Sequence, residues 1–290
     1  MYQPFQRMTM ASSLRPLIKT KQYLMKHNPS IYGLLIMTVL ACSCQKVINV
    51  KLNPDTEKYV IEGVITDQPG GCSVSITHTK NFSDDNNFPG ISGAIVTIEN
   101  KGVITTLTET TPGVYTSTTI TGTPGNTYAM KVNIEGTIYT ASSTMPQPIG
   151  LDTLYISTQL YSTDKYATIT YKDPPGVPNY YRFVQYVNGL KEKSIFLNSD
   201  EFSDGLTVTG QLSFNNDNDD KKRDIHTGDS VKIDMYCIDA AVYKYWFSLN
   251  SQATGDGNSA SPANPVSNIQ GGCMGYFSAQ TLRSKAIVAP

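Results

Sequence analysis

Tyr59-Val60-Ile61-Glu62-Gly63-Val64-Ile65-Thr66, the turn residues Asp67-Gln68-Pro69-Gly70-Gly71, and then Ser73-Val74-Ser75-Ile76-Thr77-His78 form the stretch that decides the fold class. The second run alternates strictly, with Val74 and Ile76 on one face and hydroxyl residues on the other. That period of two is the pattern of a half-buried strand. The first run is dominated by β-branched residues, which suit a pleated surface. The same grammar continues downstream: Ala94 to Glu99, a Lys101-Gly102 turn into Val103 to Glu109, Val114 to Thr116, Tyr128 to Val132 and Ile138 to Ala141. Short strands spaced by about 8–12 residues point to a β-sandwich.

Met145-Pro146-Gln147-Pro148 marks a boundary, because proline stiffens the chain and ends ladder pairing. It divides a first domain, 58–147, from a second β-rich domain, 148–290. Strands are expected there at Thr153 to Leu160, Tyr166 to Tyr171, Tyr180 to Val187, Leu206 to Phe214 and Ser230 to Ile238, then Gly275 to Ala279 and Ser284 to Val288. One segment differs. Val242, Tyr245, Trp246 and Leu249 fall at helical spacing and Asp239 can cap them, so a helix is expected over about 240–253. The fold class is all-β, with that one short helix.

Working outward to the N-terminus, Ile31 to Ala41 is an uncharged run of eleven residues behind Lys26 and His27. A basic start, a short apolar core and small residues are the layout of a secretory signal. The run is shorter than the roughly 20 apolar residues a membrane-spanning helix requires. Met25 opens a segment of ordinary signal length and is expected to be the true start. The segment ends Val39-Leu40-Ala41-Cys42-Ser43-Cys44, which resembles the lipobox of bacterial lipoproteins. Cys44 is the expected lipidation site and Cys42 the alternative: Val39 stands three positions before Cys42, whereas Cys44 follows Ser43 and opens Cys-Gln-Lys-Val-Ile. Residues 1–44 are thus read as a signal peptide with lipobox, and 45–57 as a tether.

Charge follows the same division. Five of the 23 basic residues and none of the 24 acids lie in residues 1–44, so the remainder carries a formal net charge of −6. A mildly acidic body lacks the clustered basic face that nucleic acid requires. The cysteines beyond Cys44 are Cys72, Cys237 and Cys273, with no CxxC pair, so a zinc or redox site has no support. A disulfide between Cys237 and Cys273 and a set of three buried thiols are both open readings.

The order of Cys44-Gln45-Lys46-Val47-Ile48, Tyr59 to Thr66, Gly93-Ala94-Ile95-Val96, Gly113-Val114-Tyr115 and Gly125-Asn126-Thr127-Tyr128 resembles an uncharacterised outer-membrane lipoprotein family of Bacteroidota, domain of unknown function 4249. Tyr243-Lys244-Tyr245-Trp246 and the stretch from Ser267-Asn268-Ile269 to Gly275-Tyr276-Phe277 look like that family too. The resemblance implies an immunoglobulin-like or transthyretin-like first domain. It also implies a place at the outer membrane, often beside a TonB-dependent receptor, with no catalytic residues to carry over. Asp152-Thr153-Leu154 and Asp229-Ser230-Val231 match an O-glycosylation pattern resembling that of exported Bacteroidota proteins, which makes Thr153 and Ser230 candidate modification sites.

No catalytic constellation stands out. His78 and His226 are the histidines after Cys44, the first on the polar side of a strand and the second after a charged loop. No Gly-x-Ser-x-Gly elbow and no Walker-type glycine loop occurs. Ser162-Thr163-Asp164-Lys165 matches Ser-x-x-Lys without its companion motifs. The acidic run Asn215 to Asp220 lacks the glycine and terminal glutamate of a calcium loop, and Lys221, Lys222 and Arg223 follow it. Asp84 and Asp85 are read the same way, so no metal and no cofactor is expected. The tyrosines Tyr155, Tyr161, Tyr166, Tyr171, Tyr180, Tyr181 and Tyr186 suit either cross-strand packing or a surface for sugar or peptide. The leading expectation is a non-enzymatic lipoprotein anchored at the outer membrane, binding through loops 80–93 and 254–275 and acting with a TonB-dependent receptor in nutrient uptake. A structural or adhesive envelope module is the alternative, and a hydrolase with an unfamiliar site the third.

Overall fold

A fifteen-residue strand, β16 (Met274–Val288), ties the molecule together. In the computed structural model it is flanked on one side by β1 (Tyr59–Thr66), in parallel, and on the other by β15 (Ser230–Ile238), antiparallel. The structure describes residues 57–80, 87–159, 163–213, 224–253 and 264–290. They lie in one compact unit, 54–290.

Among the described residues, sixteen strands form three sheets. The largest adds to those three strands β2 (Cys72–His78), β5 (Thr108–Thr111), β6 (Val114–Ser117), β11 (Tyr180–Val187), β12 (Leu190–Lys191) and β13 (Phe196–Ser199). Its order is β12-β11-β15-β16-β1-β2-β6-β5, with β13 also pairing β11. A four-stranded sheet is built from β3 (Ile95–Asn100), β4 (Val103–Thr106), β7 (Thr127–Ile134) and β8 (Thr137–Thr144), in the order β4-β3-β7-β8. A three-stranded sheet is built from β9 (Thr153–Thr158), β10 (Lys165–Lys172) and β14 (Thr207–Leu212), in the order β14-β10-β9. The all-β class is as the alternating sequence predicts. The helix α1 spans Ala240–Ala253, and Asp239 caps it: Oδ1 accepts from the Val242 N–H at 2.9 Å.

Both smaller sheets cover the same face of the nine-stranded sheet. Alternation along β16 puts Phe277 and Ala279 on that face with Ile61, Ile65, Val74 and Ile76, against Val96, Ile98, Met130 and Val132 of the four-stranded sheet. Further along, Tyr181, Phe183, Val231, Ile233 and Met235 meet Ile169, Tyr171 and Leu212 of the three-stranded sheet. The even residues of β16 point the other way, and there α1 lays Val242 and Tyr245 on Ile238 and Tyr276. Beyond the boundary expected near Pro148, the last strand and the segment before it reach back: Ile269, Cys273, Phe277 and Ala279 pack in the first core.

Three differences from the sequence reading have local causes. Val103 to Glu109 reads as one strand, but the chain leaves one sheet for another at buried Leu107, whose N–H bonds the Val96 carbonyl at 2.9 Å. Gly275 to Ala279 and Ser284 to Val288 read as two strands and are one. The polar residues between them are held in place: Thr281 is almost fully covered on the inner face where the two cores meet, Gln280 is covered on the opposite face, and half-buried Arg283 bonds Asp67 at 2.7 Å. The disulfide considered between Cys237 and Cys273 is not formed; Cys72, Cys237 and Cys273 are free and buried. Cys237 lies opposite Thr281, eight positions along from Cys273. At about 3.3 Å per residue that is roughly 26 Å, far beyond disulfide reach.

Candidate functional site

The three-stranded sheet and the nine-stranded sheet each end in a strand paired on one side only. β14 pairs β10, and β13 pairs β11. Between these edges, closed on one side by α1, lies a cavity of about 440 Å³. Drug-sized ligand sites span about 300–1,000 Å³ and are lined by apolar and aromatic groups with a few polar ones. Here the aromatic lining comes from Tyr171, Phe183, Phe196, Tyr243 and Phe247, and the polar groups include Asn198 and Gln211.

Each of these side chains is placed by a local rule. Tyr171 belongs to the alternating strand β10 and packs on Tyr181 with ring centroids 4.8 Å apart. Tyr243 and Phe247, four residues apart on α1, stack in parallel at 6.0 Å, and Tyr180 extends the row at 5.0 Å from Tyr243. The i, i+4 spacing of a helix brings such pairs together. Phe247 is more than half exposed, so the row opens to solvent. The Asn198 amide donates to the Tyr171 hydroxyl at 2.6 Å, and the Gln211 amide donates to Ser157 Oγ at 2.8 Å. Burial pushes the Tyr171 hydroxyl up to about 12, so it stays a neutral donor and acceptor at any physiological pH.

Behind this floor sits a buried polar knot. The Tyr181 hydroxyl donates to Asp173 Oδ1, and burial together with that bond pushes the tyrosine far above its ordinary range. Carboxylate oxygens of Asp173, Asp200 and Asp204 come within 4.8 Å of one another. Backbone N–H groups already hold them: Asn179 on Asp200 at 2.8 Å and Gly176 on Asp204 at 2.6 Å. Those bonds fasten the turns after β10 and β13, and so fix one end of the groove. This cluster carries no local signal in the sequence, because its members are spread over two turns, and β13 carries none because Phe196–Ser199 lacks an alternating pattern.

The residues singled out in the sequence are dispersed. Cys44 and Cys42, the acidic runs Asp84-Asp85 and Asn215 to Asp220, Tyr161 and Ser162 lie outside the described residues, as do 81–86 and 254–263 of the expected binding loops. Thr153 is exposed on the edge strand β9, and Ser230 is exposed at the start of β15. His78 is half-buried against Tyr59, with centroids 4.4 Å apart, rather than standing free on a polar face. His226 is exposed beside Asp229. Burial pushes the Cys72 and Cys273 thiols up to about 12 and about 11, which removes their nucleophilic character. Among the tyrosines, Tyr155 is exposed, Tyr166 and Tyr181 are buried, and Tyr171 serves both core and groove.

Among the described residues, no helix is long and apolar enough to cross a membrane. A family model described as a domain of unknown function matches residues 45–286. No curated protein matches the chain.

Proposed function

We propose, from the premise that this chain belongs to the DUF4249 family, a domain of unknown function, that it is a non-enzymatic binding protein of the bacterial outer membrane. Acyl chains on Cys44 hold it there, and it serves beside a TonB-dependent receptor in nutrient uptake. The observation that carries the binding role is the aromatic groove of about 440 Å³ between two one-sided strand edges. Aromatic faces supply contact area at low entropic cost, and amides and hydroxyls give direction. Strand edges offer unspent N–H and C=O groups to an extended ligand. The lining is uncharged, so the occupant is a largely uncharged segment. The Val39 to Cys44 segment, which resembles a lipobox, supports the location, because a cysteine acylated there would carry the several chains that stable attachment to a bilayer takes.

The reading is tested by isolating the protein from membranes of its native cell. The expected result is an intact mass carrying acyl chains on Cys44 and a co-purifying receptor-sized partner. A protein recovered from the soluble fraction with a bare thiol, or alone after gentle extraction, overturns it. A deletion strain with an envelope defect and normal growth on all nutrients would replace it with a structural role.

A further inference from the structure

The groove is lined by five consecutive residues of β14, Val208 to Leu212, and by four consecutive residues at and just before β13, Ile195 to Asn198. A cavity over the face of a strand meets alternate residues, whereas one along its edge meets every residue. Two strand edges therefore border the groove. The hydrogen bonds at the ends of the ladders fix which backbone groups these edges present. The Asp173 N–H donates to the Leu206 carbonyl at 2.9 Å, one step beyond the Lys172–Thr207 pair of β10 and β14. Backbone groups turn alternately to the two sides of a strand, so Leu206, Val208, Gly210 and Leu212 turn theirs to β10. Thr207, Thr209 and Gln211 turn theirs away. On β13 the Asp200 N–H donates to the Asn179 carbonyl at 3.1 Å, one step beyond the Tyr180–Ser199 pair, which leaves Leu197 and Ser199 turned away from β11. Among the described residues, none of these outward N–H and C=O groups has a backbone partner.

The edge of β14 is also unguarded. Free edges are ordinarily blunted by lysine, proline or a bulge. Thr207–Leu212 carries no charged residue and no proline, and its register with β10 runs without a shift. On the core side of the strand, between Val208 and Leu212, Gly210 leaves open space: a Cβ there would meet nothing within 4 Å. Its φ lies outside the left-handed region, so the backbone does not require glycine there.

We propose that the groove takes an extended polypeptide segment, which adds to β14 as a fourth strand of the three-stranded sheet through Thr207, Thr209 and Gln211. This rests on the binding role proposed above and names the class of ligand. The edge presents a donor and an acceptor together at every second residue, about 6.8 Å apart. A polypeptide backbone returns the complementary acceptor and donor at the same repeat, and neither a sugar chain nor an acyl chain carries such a series. Main-chain bonds of this kind supply affinity, and pockets for alternate side chains supply selectivity. Here the inward side chains of the added strand would meet the space above Gly210 and the rings of Phe196 and Phe247. The lining is uncharged, so those side chains are uncharged too.

Hydrogen exchange of the full chain, resolved by NMR, reads the edge directly. The Thr207, Thr209 and Gln211 amides are expected to exchange about tenfold or more faster than those of Val208, Gly210 and Leu212. The binding probe is a pool of short, capped peptides of uncharged residues, with retained peptides identified by mass. Retained peptides are expected to slow exchange at the three outward amides. N-methylation at alternate residues, in at least one of its two phases, is expected to weaken them about tenfold or more. Thr209→Pro removes an outward N–H and no bond to β10, so the melting transition is expected to persist while peptide affinity falls about tenfold. Thr209→Val is expected to retain the peptides. Undiminished binding by a folded Thr209→Pro chain, or indifference to N-methylation in both phases, overturns strand pairing and leaves the binding role of the groove standing. No retained peptide, with the native partner still recovered from membranes, does the same. Peptides retained equally by Phe196→Ala combined with Phe247→Ala overturn both.

Discussion

Phe277 and Tyr276 are neighbours on one strand and face opposite ways. Phe277 is fully buried in an aliphatic core beneath the four-stranded sheet. Tyr276 is buried against Tyr245, 4.9 Å away, and Trp246, 5.1 Å away. The inner face of the large sheet floors two apolar cores, interrupted between them by Thr281 and Arg283, and its apolar composition is explained by packing. The outer face gathers Arg182, Asp234, Lys232 and Glu62 among Tyr236, Tyr245, Trp246 and Tyr276, which packing alone does not require. Side chains of the second kind are where recognition is expected, while the first kind set stability.

The largest effects are expected where the two faces share a backbone. Gly275 has φ of +102° and sits opposite Ile61 in the parallel β1–β16 pair. A Cβ there would run into the Ile61 carbonyl, with no flexible side chain to yield. Gly275→Ala is expected to cost more than about 4 kcal/mol, read as loss of the cooperative transition in urea. Phe277→Ala on the inner face is expected to cost about 3–5 kcal/mol by the same measurement. Phe247→Ala at the groove mouth should stay within about 0.5 kcal/mol, because that ring is more than half exposed. Equal losses at the two phenylalanines would erase the distinction.

Smaller effects are expected at the helix cap and at the seam of the two cores. Asp239→Ala removes the α1 cap and the acceptor of the buried Ser143 hydroxyl of β8, and is expected to cost about 2 kcal/mol. At the seam of the two cores, burial raises the Asp67 carboxyl, but bonds from Arg283, the Leu282 N–H and Gln68 outweigh it and leave the group below its ordinary value. A depressed carboxyl contributes stability that is present above its unfolded value, near 4, and is lost as pH falls through the folded value. Unfolding midpoints below pH 4 should therefore drop less steeply in Asp67→Asn than in the native chain.

Much of this architecture was legible in the sequence. The runs Tyr59 to Thr66, Tyr180 to Val187 and Ser230 to Ile238 coincide with β1, β11 and β15, because each sets one apolar face against a core. The helix was legible for the same reason at a different period. The continuity of β16 was not, since Thr281 and Arg283 look like a solvated break and are polar for another reason: they cross the seam. The groove was legible only as an excess of tyrosine. Which tyrosines reach it depends on where two sheets end, and strand order is a long-range property that no local pattern carries.

In the proposed function, the double-cored frame presents the aromatic groove to a partner. The direct measurement is recovery of the native protein with its partner from membranes, comparing the unaltered chain with Phe196→Ala combined with Phe247→Ala. The account predicts that the variant keeps its melting transition and loses the partner. Retention of the partner at full yield by a folded variant would contradict it.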